Sequence, residues 1–140
     1  MVGWSYDDVE YYAKPYPADI YMNQFKKVVE HWHQGRELLE GIDHDIAREL
    51  LLFAKVAENH FKADILHTRY ALCKRNLPAS KNEMREIIAE EKALCLELLP
   101  LLPQSTMIGY ETANHYFYTE RDIIEKVIQL DGLEKELENL

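Results

Sequence analysis

The sequence predicts an all-α fold, an antiparallel bundle of four principal helices that follows an irregular aromatic N-terminal extension. Apolar residues recur at helical spacing in four segments, whereas no segment alternates apolar and polar residues over the length of a strand. The connections between these segments are short, which favours helices that alternate in direction. With 140 residues, the chain suits one domain that buries a core without disulfides or metals.

Residues 1–17 are the predicted extension, and residues 18–140 are the predicted helical bundle domain. The extension has no helical period and is rich in aromatic, acidic and proline residues: Trp4, Tyr6, Tyr11, Tyr12, Tyr16, Asp7, Asp8, Pro15 and Pro17. Pro17 suits the first turn of a helix, where its missing N–H costs nothing. Helix one is therefore predicted from about Ala18 to Ile42.

Start and stop signals predict three further helices. Helix two begins at Asp43 or Asp45 and ends at about Arg75. Helix three opens with a capping-box pattern and is ended or kinked by prolines, and helix four begins at a threonine with an aspartate in its first turn. These signals are Ser80 with Glu83, Thr119 with Asp122, and Pro100 and Pro103.

Charge and hydropathy exclude two classes of partner. The chain has 16 basic and 25 acidic residues, and its net charge of -9 would repel a nucleic-acid backbone. No apolar run approaches the roughly 20 residues that a membrane-spanning helix needs. The N-terminus lacks the basic and apolar regions of an export signal. We therefore expect a soluble, cytoplasmic protein with neither a nucleic-acid nor a membrane partner.

The two cysteines are expected to remain free and buried. Cys73 lies on helix two and Cys95 on helix three. If these helices turn near Pro78, the cysteines are offset by roughly 18 Å along the helix axes. A disulfide cannot span that distance.

Four polar residues are predicted to form a cluster inside the bundle. His60, Asp64 and His67 fall on the edge of the apolar face of helix two, and Glu91 sits in the apolar stripe of helix three. Asp64 lies 14 residues before Pro78 and Glu91 lies 13 residues after it, so both should lie at one level. A carboxylate on an inner face is costly unless it is paired.

This inner cluster has three interpretations. Imidazoles and carboxylates on facing helices could bind a metal, as the spacings of Glu30 with His33 and Asp64 with His67 suggest. Glu30 faces away from the apolar stripe, however, so we expect no stoichiometric metal and no cofactor. The second interpretation is a catalytic or sugar-binding carboxylate pair. The third is a hydrogen-bonded network that sets the register of the helices.

The segment Gly109–Tyr118 has the composition of a binding loop. It lacks a helical or alternating period and combines aromatic rings with a carboxylate, an amide and an imidazole. The candidate substrate-binding residues are Tyr110, Glu111, Asn114, His115, Tyr116 and Tyr118. Sugar sites contain such groups, because aromatic faces stack on pyranose rings. The alternative is an ordered loop whose tyrosines cover one end of the bundle.

Motifs for several enzyme classes are absent from the sequence. The five glycines are scattered, so there is no glycine-rich phosphate loop, and there is neither a Gly-x-Ser-x-Gly elbow nor a Cys-x-x-Cys pair. Nucleotide hydrolysis, esterase chemistry and thiol catalysis are therefore disfavoured. Catalytic residues are not identified.

Three segments together resemble a known group of proteins. They are MVGWSYDDVEYYAKPYP at residues 1–17, the stretch His60 to Lys62, and IGYETANHYFYTERDIIEKV at residues 108–127. They resemble the C-terminal helical region of large, mostly uncharacterised bacterial proteins from Bacteroidetes and Firmicutes that are related to glycoside hydrolases. The matching positions are Gly3, Tyr6, Asp7, Asp8, His60, Phe61, Gly109, Glu111, Asn114, His115 and Tyr116, whereas Lys62, Tyr110 and Thr112 replace the arginine, phenylalanine and alanine of the pattern.

The resemblance implies that the chain is the helical C-terminal accessory domain of a carbohydrate-active protein, with Met1 internal to a longer chain. The loop would then contribute to a sugar site or to a domain interface, and the isolated chain would lack hydrolase activity. Its partners would be the catalytic domain of the same protein and carbohydrate. A non-enzymatic protein-interaction or assembly module is the alternative, and a self-contained metal-binding bundle is the third.

Overall fold

Four helices account for most of the described chain. The computed structural model describes residues 16–77, 79–111 and 116–139, but not the side chains of residues 110, 111, 116 and 117. The helices are α1 (Ala18–Glu37), α2 (Asp45–Lys74), α3 (Lys81–Leu98) and α4 (Glu120–Glu138). A 3₁₀ helix (Leu99–Gln104) and the strands β1 (Tyr110–Glu111) and β2 (Tyr116–Phe117) lie between α3 and α4. The predicted all-α bundle of four helices is confirmed. Residues 1–15 of the predicted extension lie outside the described residues.

Helix α1 ends earlier than predicted. It stops at Glu37, and the chain turns through residues 38–41 instead of continuing to Ile42. Gly41 adopts a φ of 89° in this turn, a conformation that glycine tolerates without steric cost. Helix α2 then begins at Asp45, as predicted, and the His44 imidazole caps it by accepting a hydrogen bond from the Ile46 N–H.

The sequence predicted a capping box at α3, but the structure has one at α4 instead. At α4, the box between Thr119 and Asp122 is present. At α3, the Ser80 side chain makes no capping hydrogen bond, and Glu83 lies near Arg69 of α2 instead. The reason is backbone conformation, because the ψ of 8° at Ser80 differs from the extended geometry that aims a capping side chain at the first turn.

The core lies between α2, α3 and α4. Among the largest buried side chains are Met84 and Ile88 of α3 and Thr68 of α2. Helix α3 ends at Leu98 and passes into the 3₁₀ helix, which contains both predicted stop residues, Pro100 and Pro103. Cys73 and Cys95 are both free and buried, which confirms that prediction.

Each helix packs mainly against its neighbour in the chain. Asn59 of α2 donates a hydrogen bond of 2.9 Å to the Leu94 carbonyl of α3. Helix α1 contributes no buried residue and packs on α2 through Trp32, whose indole N–H donates to the Ala54 carbonyl at 2.8 Å. Within the described part of the chain, no helix is long and apolar enough to cross a membrane.

The segment Gly109–Tyr118 contains a small antiparallel β-ladder that the sequence did not predict. Tyr110 pairs with Phe117, and Glu111 pairs with Tyr116. Two residues per strand are too few to show an alternating pattern. Gly109 precedes β1 with a φ of 82°, and its carbonyl accepts a hydrogen bond of 3.0 Å from the Tyr118 N–H. We call residues 109–118 the hairpin.

Candidate functional site

Glu91 is the centre of a polar group that joins three helices. It lies in the apolar face of α3 and is only 4% exposed, as its position in the stripe predicts. Its Oε1 atom accepts a hydrogen bond from Lys126 of α4 and lies 3.2 Å from His67 Nε2 of α2. The structure therefore brings two of the four predicted cluster residues together and adds Lys126, which the sequence analysis did not identify.

The prediction that all four residues lie inside the bundle requires correction. His60, Asp64 and His67 are exposed, because they stand at the edge of the α2 face, where side chains reach solvent. Among the described side chains, His60 Nε2 is hydrogen-bonded to the Tyr118 hydroxyl at 2.7 Å and not to another cluster member. The negative charge of Asp64 acts to raise the pKa of His60, and the Asp64 backbone carbonyl accepts a hydrogen bond of 2.9 Å from the Thr68 hydroxyl.

Basic neighbours keep the Glu91 carboxyl ionised. Burial by itself raises the pKa of this group, but the hydrogen bond to His67 and the hydrogen bond and charge of Lys126 outweigh burial, so the net pKa is lowered. Glu91 is therefore a paired, buried anion at neutral pH.

Burial has the largest effect on the pKa values of two other cluster members, His60 and Asp64. It lowers the pKa of His60, which favours the neutral imidazole, and it raises the pKa of Asp64. Burial also raises the pKa of the Tyr118 hydroxyl. The hydrogen bond between His60 and Tyr118 therefore joins two neutral groups near pH 7.

A pocket of about 210 Å³ lies beside Glu91. Helices α2, α3 and α4 all line it, and its polar lining residues are His67, Tyr70, Glu91, Lys126 and Gln129. The Oε2 atom of Glu91 is buried and has no hydrogen-bond partner among the described residues. The pocket therefore has a mixed apolar and polar lining, and Oε2 is closed to solvent.

Of the six predicted loop residues, the structure describes the side chain of Tyr118. Tyr110, Glu111 and Tyr116 lie in the short strands, but their side chains are outside the described part of the structure. Asn114 and His115 lie outside the described residues. Tyr118 is half-buried at the end of the hairpin, and its ring contacts the His60 ring edge-on at a centroid distance of 5.5 Å. Tyr118 therefore links the predicted loop to the predicted cluster.

Sequence reasoning missed a second buried carboxylate, Glu58 of α2. It is 5% exposed, and its two oxygens each lie 2.7 Å from a cation, Arg36 Nε of α1 and Lys62 Nζ of α2. His33 Nδ1 lies 3.2 Å from the same carboxylate. Glu58 faces α1 and lies outside the apolar face of α2 that contains His60, Asp64 and His67, so the helical periodicity does not identify it. Its spacing of four from Lys62 was the available signal.

Burial raises the pKa of Glu58, but the hydrogen bonds and charges of Lys62 and Arg36 outweigh this effect and lower the net pKa. His33 contacts Glu58 through its Nδ1 atom. Within the described ranges, no group of three or more His, Cys, Asp or Glu side chains is arranged to hold a metal ion.

Comparison of the chain with protein-family models, curated proteins and solved structures finds no match.

Proposed function

We propose that the chain is a helical accessory domain of a cytoplasmic carbohydrate-active protein and that the hairpin is its functional edge. The observation that carries this proposal is the hydrogen bond of 2.7 Å between Tyr118 and His60. Loops that hold binding residues work best when a rigid element supports them. Helix α2 supplies such support at the base of this hairpin.

The chemistry of the hairpin suits a carbohydrate. Tyrosine rings stack on the apolar faces of sugars, and the carboxylate of Glu111 and the amide of Asn114 can satisfy hydroxyl groups that are costly to desolvate. In the proposed function, the catalytic domain of the same longer protein supplies the reacting groups. The isolated chain then has no hydrolase activity.

Two measurements test this proposal. The first is the gene sequence, because an in-frame stop codon directly before Met1 contradicts an accessory domain. The second is turnover of a glycoside panel by the full-length protein with Glu111→Gln or His115→Ala. We expect both variants to lose at least tenfold in turnover. Glu120→Gln, an exposed residue at the start of α4, is the matched control and should retain activity. Unchanged turnover in both hairpin variants removes the assignment.

A protein-interaction module is the second candidate, and the exposed side of α1 favours it. Val28 is 41% exposed and Trp32 is 39% exposed. Together with Gly35, they line a groove of about 690 Å³. A Cβ atom built on Gly35 would meet no atom within 4 Å. An apolar groove beside open space is typical of a surface that receives another protein element.

The groove has its own test. Gly35→Arg should weaken association with the separately produced upstream region at least tenfold in sedimentation experiments. Gly132→Arg places the same side chain at another open helical glycine, on α4, and should leave association unchanged. Equal association of both variants with the upstream region contradicts the interaction function.

A further inference from the structure

We propose that residues 1–15 of the chain bind, within the same molecule, to a groove that α1, α2 and α3 form on the bundle. We call it the basic groove, and its lining includes Lys26 of α1, Lys62, Ile65 and Arg69 of α2, and Glu90 and Leu94 of α3. It is distinct from the groove that contains Val28, Trp32 and Gly35. The inference does not depend on the proposed carbohydrate function.

Charge favours this segment as the occupant of the basic groove. The lining has three basic residues, Lys26, Lys62 and Arg69, and one acidic residue, Glu90, although the whole chain carries a net charge of -9. Residues 1–15 contain three acidic residues and one basic residue. Opposite charges on two surfaces attract each other and fix the orientation in which the surfaces meet.

Two cations of the groove can receive a further anion. Lys26 is exposed, and its amine has no ion-pair partner within the described ranges. Arg69 lies 3.4 to 3.5 Å from two exposed carboxylates of α3, which is longer than the roughly 2.7–3.2 Å of an ordinary N–H···O hydrogen bond. Lys62 is more closely paired, at 2.7 Å from Glu58. We therefore assign Lys26 and Arg69 to the acidic side chains of residues 1–15.

The size and lining of the groove suit aromatic rings. Apolar side chains, among them Ile65 and Leu94, line it together with the basic residues. Its volume is about 420 Å³, whereas a cavity of about 150 Å³ accepts one benzene molecule, so two rings have room. Burial of such rings contributes binding free energy that charge pairs at a surface do not. Residues 1–15 carry four aromatic side chains: Trp4, Tyr6, Tyr11 and Tyr12.

The segment joins the bundle close to this groove. Ala18, the first residue of α1, packs against Ala71 of α2, which is two residues from Arg69. The backbone bends at Tyr16, two residues before α1 begins. Lys26 lies about 12 Å from Ala18 along the helix axis. Because 15 extended residues span up to about 50 Å, the segment is long enough to return along the bundle and reach the groove.

The experiment measures nuclear Overhauser contacts in the full chain with labelled methyl groups. We expect contacts between aromatic protons of residues 1–15 and the methyl groups of Ile65 and Leu94. The methyl groups of Val28 and Leu39, which line the other groove, should show none. A mixture of labelled and unlabelled chains tests whether these contacts arise within one molecule.

Matched charge reversals test the assigned cation. Lys26→Glu replaces attraction by repulsion at an exposed site and should weaken the contacts about threefold or more. Lys27→Glu makes the same change at the next residue, which is also exposed but lines the other groove, and should leave them unchanged.

A triple variant tests the same attraction without altering the bundle. It combines Asp7→Asn, Asp8→Asn and Glu10→Gln, and it should weaken the contacts at least as much as Lys26→Glu does. Contacts found only between different molecules in the mixture identify a second copy as the occupant and overturn the proposal. Contacts with the other groove, contacts with neither groove, or equal effects of the Lys26 and Lys27 reversals overturn it as well.

Discussion

Two buried carboxylates, Glu58 and Glu91, hold neighbouring helices together through paired charges. The sequence predicted Glu91 because an acidic residue within an apolar stripe is conspicuous. Its partner Lys126 could not be predicted, because the relative position of α4 depends on packing that no local pattern encodes. Glu58 itself was not predicted to be buried. It is buried and contacts Arg36 of α1, and neither the position nor the direction of that contact is visible in the periodicity of α2.

Removal of the Glu58 charge should destabilise the bundle. Glu58→Gln removes the buried carboxylate that pairs with Arg36 and Lys62 and, among the described residues, leaves Arg36 with only the exposed Glu40 as an acidic partner. We expect the free energy of unfolding to fall by about 1–3 kcal/mol. Urea denaturation followed by circular dichroism measures this change. Glu49→Gln makes the same substitution at an exposed site of α2 and should change stability by less than about 0.5 kcal/mol. Equal effects of the two substitutions would show that the Glu58 pairs contribute nothing specific.

At the scale of elements, helix existence was predictable and local geometry was less so. The start of α2 at Asp45 and the capping box of α4 follow from local signals that carry their own hydrogen bonds. The capping box predicted at Ser80 does not form, because the backbone of Ser80 is not in the extended conformation that a capping side chain requires. The two-residue strands of the hairpin depend on pairing between two segments of the chain. They are too short to produce an alternating pattern of apolar and polar residues, so the sequence did not predict them.

The contrast between the two capping patterns gives a direct test. Thr119→Ala removes a side chain that participates in a capping box, and we expect a loss of about 1 kcal/mol in the free energy of unfolding. Ser80→Ala removes a side chain that makes no capping hydrogen bond and should cost less. Thermal denaturation of both variants measures the difference. A larger loss from Ser80→Ala would contradict the assigned geometry.

Two glycines should respond to alanine with opposite signs. At Gly109, a Cβ atom would lie 2.5 Å from the Tyr118 carbonyl oxygen, and the φ of 82° is already unfavourable for alanine. We expect Gly109→Ala to lower stability by about 1 kcal/mol or more and to shift the amide resonances of the hairpin. Gly132→Ala enters open space within α4 and should raise stability by up to about 1 kcal/mol. A stabilising Gly109→Ala would refute the hairpin geometry.

At the scale of the whole molecule, the packing is sequential, with α1 on α2, α2 on α3 and α3 on α4. The sequence predicted the number of helices, but their antiparallel order remains a prediction. Ionised carboxylates participate in these contacts: Glu58 binds α1 to α2, and Glu91 joins α2, α3 and α4. The integrity of the bundle is therefore coupled to pH through groups that sit at its helix contacts.

The stability of the bundle should fall with acidification in a defined range. Glu58 and Glu91 both have pKa values below the ordinary 4.5 in the folded state, so the unfolded chain binds more protons than the folded chain as pH falls through that value. Their contribution is present above about pH 4.5 and is lost as pH falls through their folded-state pKa values. His60 adds a loss that begins below its ordinary pKa of 6.5, since its folded pKa is also lowered.

Asp64 has the opposite effect on the pH dependence of stability. Its folded pKa is raised above the ordinary 3.8, so its protonation on acidification favours the folded chain. Denaturation by urea at half-unit steps from pH 7 to pH 3 measures the sum of these effects. The double variant Glu58→Gln and Glu91→Gln should be less stable at pH 7 and lose less stability between pH 5 and pH 3 than the wild-type chain. Glu49→Gln with Glu86→Gln removes two exposed carboxylates and should reproduce the wild-type slope. If both double variants keep that slope, the acid sensitivity arises from general charge repulsion and not from the two buried carboxylates.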